Sequence, residues 1–241
     1  MLAELGVARF WVDLLQIVTI NILLSGDNAV VIALASRSLP EAQRKIAIIG
    51  GSAAAVVLRI IFCLVIAWLL QIPYLKVFGG LLLLYIGVKL VLPEGESDRN
   101  GIAAKSHVWG AIQTILIADA VMSLDNVVAI AAAAHGSVVL ITLGLVISIP
   151  LVVFGSQLML RVLNRFPILV VLGAGLLGWI AGEIIVSDPA LYTHLPYDKH
   201  LLAQIAKPLL AVLVMATGTT LSGRARAKTY EVVDLAPEDQ K

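Results

Sequence analysis

The feature that most constrains this chain is a succession of apolar blocks, each near 20 residues long and divided by short polar breaks. About 20 helical residues cross a hydrocarbon core of about 30 Å. Of 241 residues, 60% are hydrophobic and 14% are charged, whereas a soluble domain carries about 25% charged residues. The blocks are continuous rather than alternating, which indicates helices and not a barrel. An all-α membrane protein follows, and its immediate partner is the lipid bilayer.

Seven spans are expected, at about 10–35, 45–70, 74–92, 108–134, 138–160, 167–186 and 202–221. The N-terminus carries Glu4, Arg9 and Asp13 before its first apolar block. That block reads as a retained span rather than a signal peptide. Lys and Arg concentrate in alternate loops. With the N-terminus outside, the inner segments hold Arg37, Arg44, Lys45, Arg99, Lys105, Arg161, Arg165, Arg224, Arg226 and Lys228, and the outer ones only Arg9, Lys76, Lys199 and Lys207. The positive-inside rule gives N-out and C-in. The net charge of +1 carries no signal for nucleic acid. The single cysteine, Cys63, forms no internal disulfide and no metal motif.

Polar residues inside these spans are few and patterned. Asn21-Ile-Leu-Leu-Ser-Gly-Asp27-Asn28-Ala-Val-Val-Ile-Ala33 lies in the first span. A related stretch, Asp119-Ala-Val-Met-Ser-Leu-Asp125-Asn126-Val-Val-Ala-Ile-Ala131, returns 98 positions later in the fourth. Each repeat unit therefore holds three spans, an odd number, so the two units insert with opposite polarity. Inverted repeats of this kind are a common transporter plan. The division expected is 1–92 for the first repeat, 93–107 for a polar cytoplasmic loop and 108–188 for the second repeat. An outer loop with the seventh helix occupies 189–223, and a cytoplasmic tail 224–241.

On a helix, residues i, i+4 and i+7 share a face. Asn21, Ser25 and Asn28 meet that spacing, as do Asp119, Ser123 and Asn126. Asp27 and Asp125 fall about 120° away on a straight helix. Gly26 offers a local break that redirects Asp27, whereas the second copy has Leu124 there. An ionised side chain within the bilayer is costly and marks function by default. Carboxylate, amide and hydroxyl oxygens suit hard cations such as Mg, Ca or Mn. The candidate metal ligands are Asp27, Asp119, Asp125, Asn28, Asn126 and Asn21, with Ser25, Ser123, Arg59 and Glu183 as lining or gating residues. The asparagines serve equally well as interhelical hydrogen-bonding groups. Arg59, in mid-span, either pairs with an Asp or gates a path, or is a structural pair. Glu183 is either a mouth ligand or a plain interfacial acid.

The two Asp-Asn stretches, with Leu39-Pro40 and Arg44 beyond the first, resemble the TerC family of integral membrane proteins in its short YjbE-type branch. That family is grouped with LysE-like exporters. The resemblance implies metal homeostasis with manganese efflux, and intramembrane acids at Asp27, Asp119 and Asp125. Longer members often carry Glu where this chain has Asn21, which removes one formal charge here. The expected function is a secondary transporter exporting divalent cations, Mn2+ first, across the bacterial cytoplasmic membrane. The expected cargo is the metal ion itself, with no permanent cofactor and no enzymatic activity. No Gly-x-x-x-x-Gly-Lys-Ser/Thr motif is present to drive a pump. The alternatives are export of an organic cation or amino acid, and an intramembrane di-aspartyl enzyme.

Overall fold

A computed structural model describes residues 8–92, 101–192 and 198–234. Among these residues the chain is all helical: α1 (Ala8–Leu23), α2 (Gly26–Ser36), α3 (Glu41–Leu69), α4 (Leu75–Val91), α5 (Gly101–Ala133), α6 (Val138–Arg165), α7 (Ile168–Val186), α8 (Pro189–Tyr192) and α9 (Lys199–Asp234). Five helices, α3, α5, α6, α7 and α9, are long and apolar enough to cross a membrane, and the α1–α2 pair makes a sixth if it is one bent span. The fourth helix has 17 residues, about 25 Å of rise, so the third expected span falls short of that length. Large apolar side chains, among them Trp68, Phe78, Tyr85, Trp109 and Phe154, are exposed around the outside. An apolar surface of that extent is stable against lipid and not against water.

The local break that Gly26 offers in the first span is present: α1 and α2 are bent by 50° at Leu24–Ser25. One expectation needs correction. The polar segment 93–107 is helical from Gly101 onward, because α5 begins there; residues 93–100 lie outside the described residues. The segment expected as a tail from 224 continues α9 as helix to Asp234, while residues 235–241 lie outside the described residues. Polar residues continue a helix without penalty where it leaves the bilayer, so hydropathy marks the membrane boundary and not the helix end.

The packing pairs the helices in a consistent way. Helix α3 lies along α5, the α1–α2 pair lies along α6, and α4 lies along α7. Helix α9 then covers α7 and part of α4. At one end, Phe10, Leu14, Cys63, Ala133 and Ile141 form one apolar cluster. At the other, Leu39, Ala47 and Ala111 form a second. That second end is held by arginines. Arg44 Nη2 donates to the carbonyls of Arg37 (3.2 Å) and Leu39 (2.8 Å), and Arg37 Nη2 donates to the Leu90 carbonyl (3.0 Å).

Helices α7 and α9 touch along their backbones, and two glycines set the contact. A Cβ on Gly178 would lie 2.5 Å from the Leu210 carbonyl oxygen, and one on Gly182 would lie 2.9 Å from the Ala206 carbonyl oxygen and Lys207 Cα. Small residues four apart let two helical backbones touch, which is how helices associate when lipid removes the hydrophobic driving force.

Candidate functional site

The break between α1 and α2 arises from Ser25-Gly26-Asp27-Asn28, residues that favour helix starts over helix interiors. Ser25 stands at the head of α2 with φ −110° and ψ 3°. Its hydroxyl makes no capping bond. It is drawn into the site instead, 3.4 Å from Asn21 Oδ1 and 3.5 Å from Arg59 Nη1. Asp27, in the first turn of α2, accepts a hydrogen bond from the Asn28 N–H (2.8 Å). A carboxylate there is favoured by the positive end of the helix dipole. The break also frees carbonyls at the end of α1. One of them, Leu24 O, accepts from Asn126 Nδ2 of α5 at 3.4 Å.

At this break a buried polar cluster forms around one guanidinium. Arg59 reaches in from α3 with 4% of its side chain exposed. Its Nη2 pairs with Asp119 Oδ1 at 2.5 Å, its Nη1 donates to Asn21 Oδ1 at 2.5 Å, and its Nε donates to Ser123 Oγ at 2.9 Å. Asp119 is also a buried group. Its Oδ1 accepts from Asn28 Nδ2 (3.0 Å) and its Oδ2 from Ser123 Oγ (3.2 Å). The stripes Asn21-Ser25-Asn28 and Asp119-Ser123 therefore meet, with Arg59 between them. One positive and one negative charge cancel, and hydrogen bonds occupy the rest, as a buried ion pair requires.

Not every acceptor is used. Asn28 Oδ1 and Ser52 Oγ are buried without a hydrogen-bond partner. Both residues line a cavity of about 20 Å³ beside Arg59 and Asp119, together with Ser148 of α6. A volume of that size admits about one water-sized body.

The other acids stand apart from this cluster. Asp125, farther along α5, is 43% exposed and ion-pairs with Lys76 at the start of α4. Asp27 is half-buried and makes no direct bond to Asp119 or Arg59, although it is within their Coulombic reach. Glu183 of α7 pairs with Lys207 of α9 at 2.8 Å. Among the described residues, no three or more His, Cys, Asp or Glu side chains come together in a way that would hold a metal ion. The six proposed ligands are thus divided in this conformation. Asn21, Asn28 and Asp119 converge, Asn126 serves the broken backbone, and Asp27 and Asp125 lie on either side.

Asp188, which carries no motif, proves to be a structural hub. It is 1% exposed, and its Oδ2 accepts from the N–H groups of Lys76 (3.0 Å) and Val77 (3.3 Å). Its Oδ1 accepts from the Ala190 N–H (2.8 Å). One carboxylate so caps two helix starts, α4 and α8. The local sequence Asp188-Pro189 is a helix-start signal in its own right; the reach to α4 is not visible in it.

The TerC family of integral membrane proteins matches residues 7–229. The uncharacterized membrane protein YjbE of Bacillus subtilis is 42% identical over 203 residues, which cover 84% of this chain and 91% of that protein. The uncharacterized membrane protein YkoY of the same organism is 26% identical over 201 residues, covering 76% of this chain and 60% of YkoY. The UPF0053 protein YegH of Escherichia coli is 27% identical over 180 residues, so the match spans about a third of its length, 34%. No solved structure matches. The match across nearly the whole helical bundle makes this chain a multi-pass integral membrane protein of the TerC family.

Proposed function

We propose that this chain is a secondary transporter of hard cations, with Mn2+ as the foremost cargo, acting outward across the bacterial cytoplasmic membrane. The observation that carries it is Asp119. A carboxylate is buried at the level of a broken helix and accepts from Ser123 Oγ and Asn28 Nδ2, while the oxygens of Asn21 and Ser25 gather around the same guanidinium. Oxygen donors of this type suit Mn, Mg and Ca over softer metals. Broken helices at the crossing of two repeats are where such transporters bind ions.

The direction of the track follows from the proposed seven-span, N-out and C-in arrangement, with α4 as the third and shortest span. The pairing of α3 with α5, of α1–α2 with α6 and of α4 with α7 supports two inverted triplets. In that frame Asp27 stands toward the inside, Asn21 and Asp119 at mid-depth, and Asp125 with Lys76 toward the outside.

One observation favours a second reading. The cluster as built already binds a guanidinium, the head group of Arg59. An organic cation with such a head is therefore a rival cargo. Proteoliposomes loaded with Mn2+ separate the two. Efflux that persists unchanged in excess arginine and lysine supports the metal. Efflux abolished by arginine, with arginine itself transported, assigns the organic cation instead.

A further inference from the structure

Arg59 holds four of the oxygen-bearing groups a transported cation would need. Its donors engage Asp119 Oδ1, Asn21 Oδ1, Ser123 Oγ and, at 3.5 Å, Ser25 Oγ. Adding the unpartnered Asn28 Oδ1 and the second Asp119 oxygen gives six hard donors. Six is the number an octahedral Mn2+ or Mg2+ takes. A guanidinium is not deprotonated in proteins, so Arg59 leaves this position only by moving. If it moves alone, Asp119 is stranded as a bare buried charge, which is strongly unfavourable. If another cation arrives as it moves, Asp119 stays neutralised throughout.

We propose that Arg59 is a tethered competitor cation: its guanidinium occupies the transport site in the closed conformation, and cargo binds only by displacing it. This rests on the cation-transport reading of the Asp119 cluster. Two features of the site are consistent with exchange rather than a permanent structural pair. The unpartnered oxygens of Asn28 and Ser52 line the cavity beside the guanidinium. Ser52 is on the same helix as Arg59, toward its N-terminal end, the direction in which a long helical side chain leans. A displaced guanidinium therefore finds the Ser52 hydroxyl already in place as an acceptor, while Asn28 Oδ1 is left to the cargo. Asp125, more exposed, pairs with Lys76, so both acids of α5 carry a cation from a neighbouring helix. Exchange at Asp119 gives a transporter a means of release: the returning guanidinium expels the cargo and closes the path.

The test is Mn2+ binding to the purified full-length protein, read by titration calorimetry. Arg59→Gln removes the competitor, and Mn2+ is expected to bind roughly tenfold tighter or more, a change of about 1.4 kcal/mol or more. Arg59→Lys restores a competing charge and returns the affinity toward the wild-type value. Arg59→Gln combined with Asp119→Asn loses the gain. A second arm guards against a variant that folds poorly: in Arg59→Ala, millimolar guanidinium chloride fills the space left by the side chain. It is then expected to weaken Mn2+ binding and to raise the melting temperature. Equal or weaker Mn2+ binding by folded Arg59→Gln, with wild-type binding still dependent on Asp119, overturns the competitor role and leaves cation transport standing. Absence of Mn2+ binding in every variant removes the transport reading and this one together.

Discussion

At the residue scale, Asp119 and Arg59 form a pair in which neither charge tolerates losing the other. Both are nearly inaccessible, and Asn21, Asn28 and Ser123 take up hydrogen-bonding capacity that the pair itself leaves over. Removing one member of a buried pair costs about 3–5 kcal/mol, whereas replacing both with apolar groups of similar size costs little. Asp119→Asn is thus expected to lower the thermal stability of the detergent-solubilised protein strongly. The double change Arg59→Met with Asp119→Leu removes the unpaired charge and recovers part of the loss, the rest remaining because Asn21, Asn28 and Ser123 lose their partners. Additive losses would show that the two side chains do not interact. Much of this cluster was legible in the sequence. The spacing of Asn21, Ser25 and Asn28, and of Asp119 and Ser123, places them on helix faces that do meet. Arg59 was visible in the sequence as a mid-span cation able to pair with an Asp, but not with which one. Its partner lies 60 positions away and depends on how α3 packs along α5. The same holds for Asp125 and Lys76, 49 positions apart.

At the element scale, the bundle depends on a few backbone approaches and caps. Gly178→Ala forces a Cβ to within 2.5 Å of the Leu210 carbonyl oxygen on α9. Overpacking of a rigid backbone costs about 1–3 kcal/mol, which a lowered melting temperature would register. Gly26 is the contrasting case. A Cβ there meets nothing within 4 Å, so Gly26→Ala is expected to shift stability by less than about 0.5 kcal/mol. A large loss at Gly26 would mean that the break itself requires glycine. Asp188→Ala strips the shared cap from α4 and α8 and is expected to cost about 0.5–2 kcal/mol, the range for losing a helix cap. The helix break was readable from Ser25-Gly26-Asp27-Asn28, because those residue types compete with helix interiors. The early start of α5 and the long course of α9 were not readable. Their polar ends follow no apolar period, and helical structure there is independent of burial in lipid.

At the scale of the whole molecule, the apolar belt and the segregation of basic residues set how the bundle sits in the bilayer. The proposed orientation places the Arg37–Arg44 end inside. In a Cys63→Ala background, Gln71→Cys is expected to react with an impermeant maleimide added outside intact cells, and Ser38→Cys only after lysis. The reverse pattern would invert the direction of transport. The packing of α3 on α5 explains why the sequence showed the candidate residues but not which of them converge. The two motif copies reach each other only because α5 lies against α3 and close to α2, a matter of packing that no single span records. The most direct measurement is Mn2+ efflux from proteoliposomes containing wild type, Asp119→Asn or Asp119→Glu, each first shown to be monodisperse. Cation transport through the cluster requires that Asp119→Asn fall to the protein-free background and that Asp119→Glu retain part of the flux. Undiminished Mn2+ efflux by folded Asp119→Asn would contradict it.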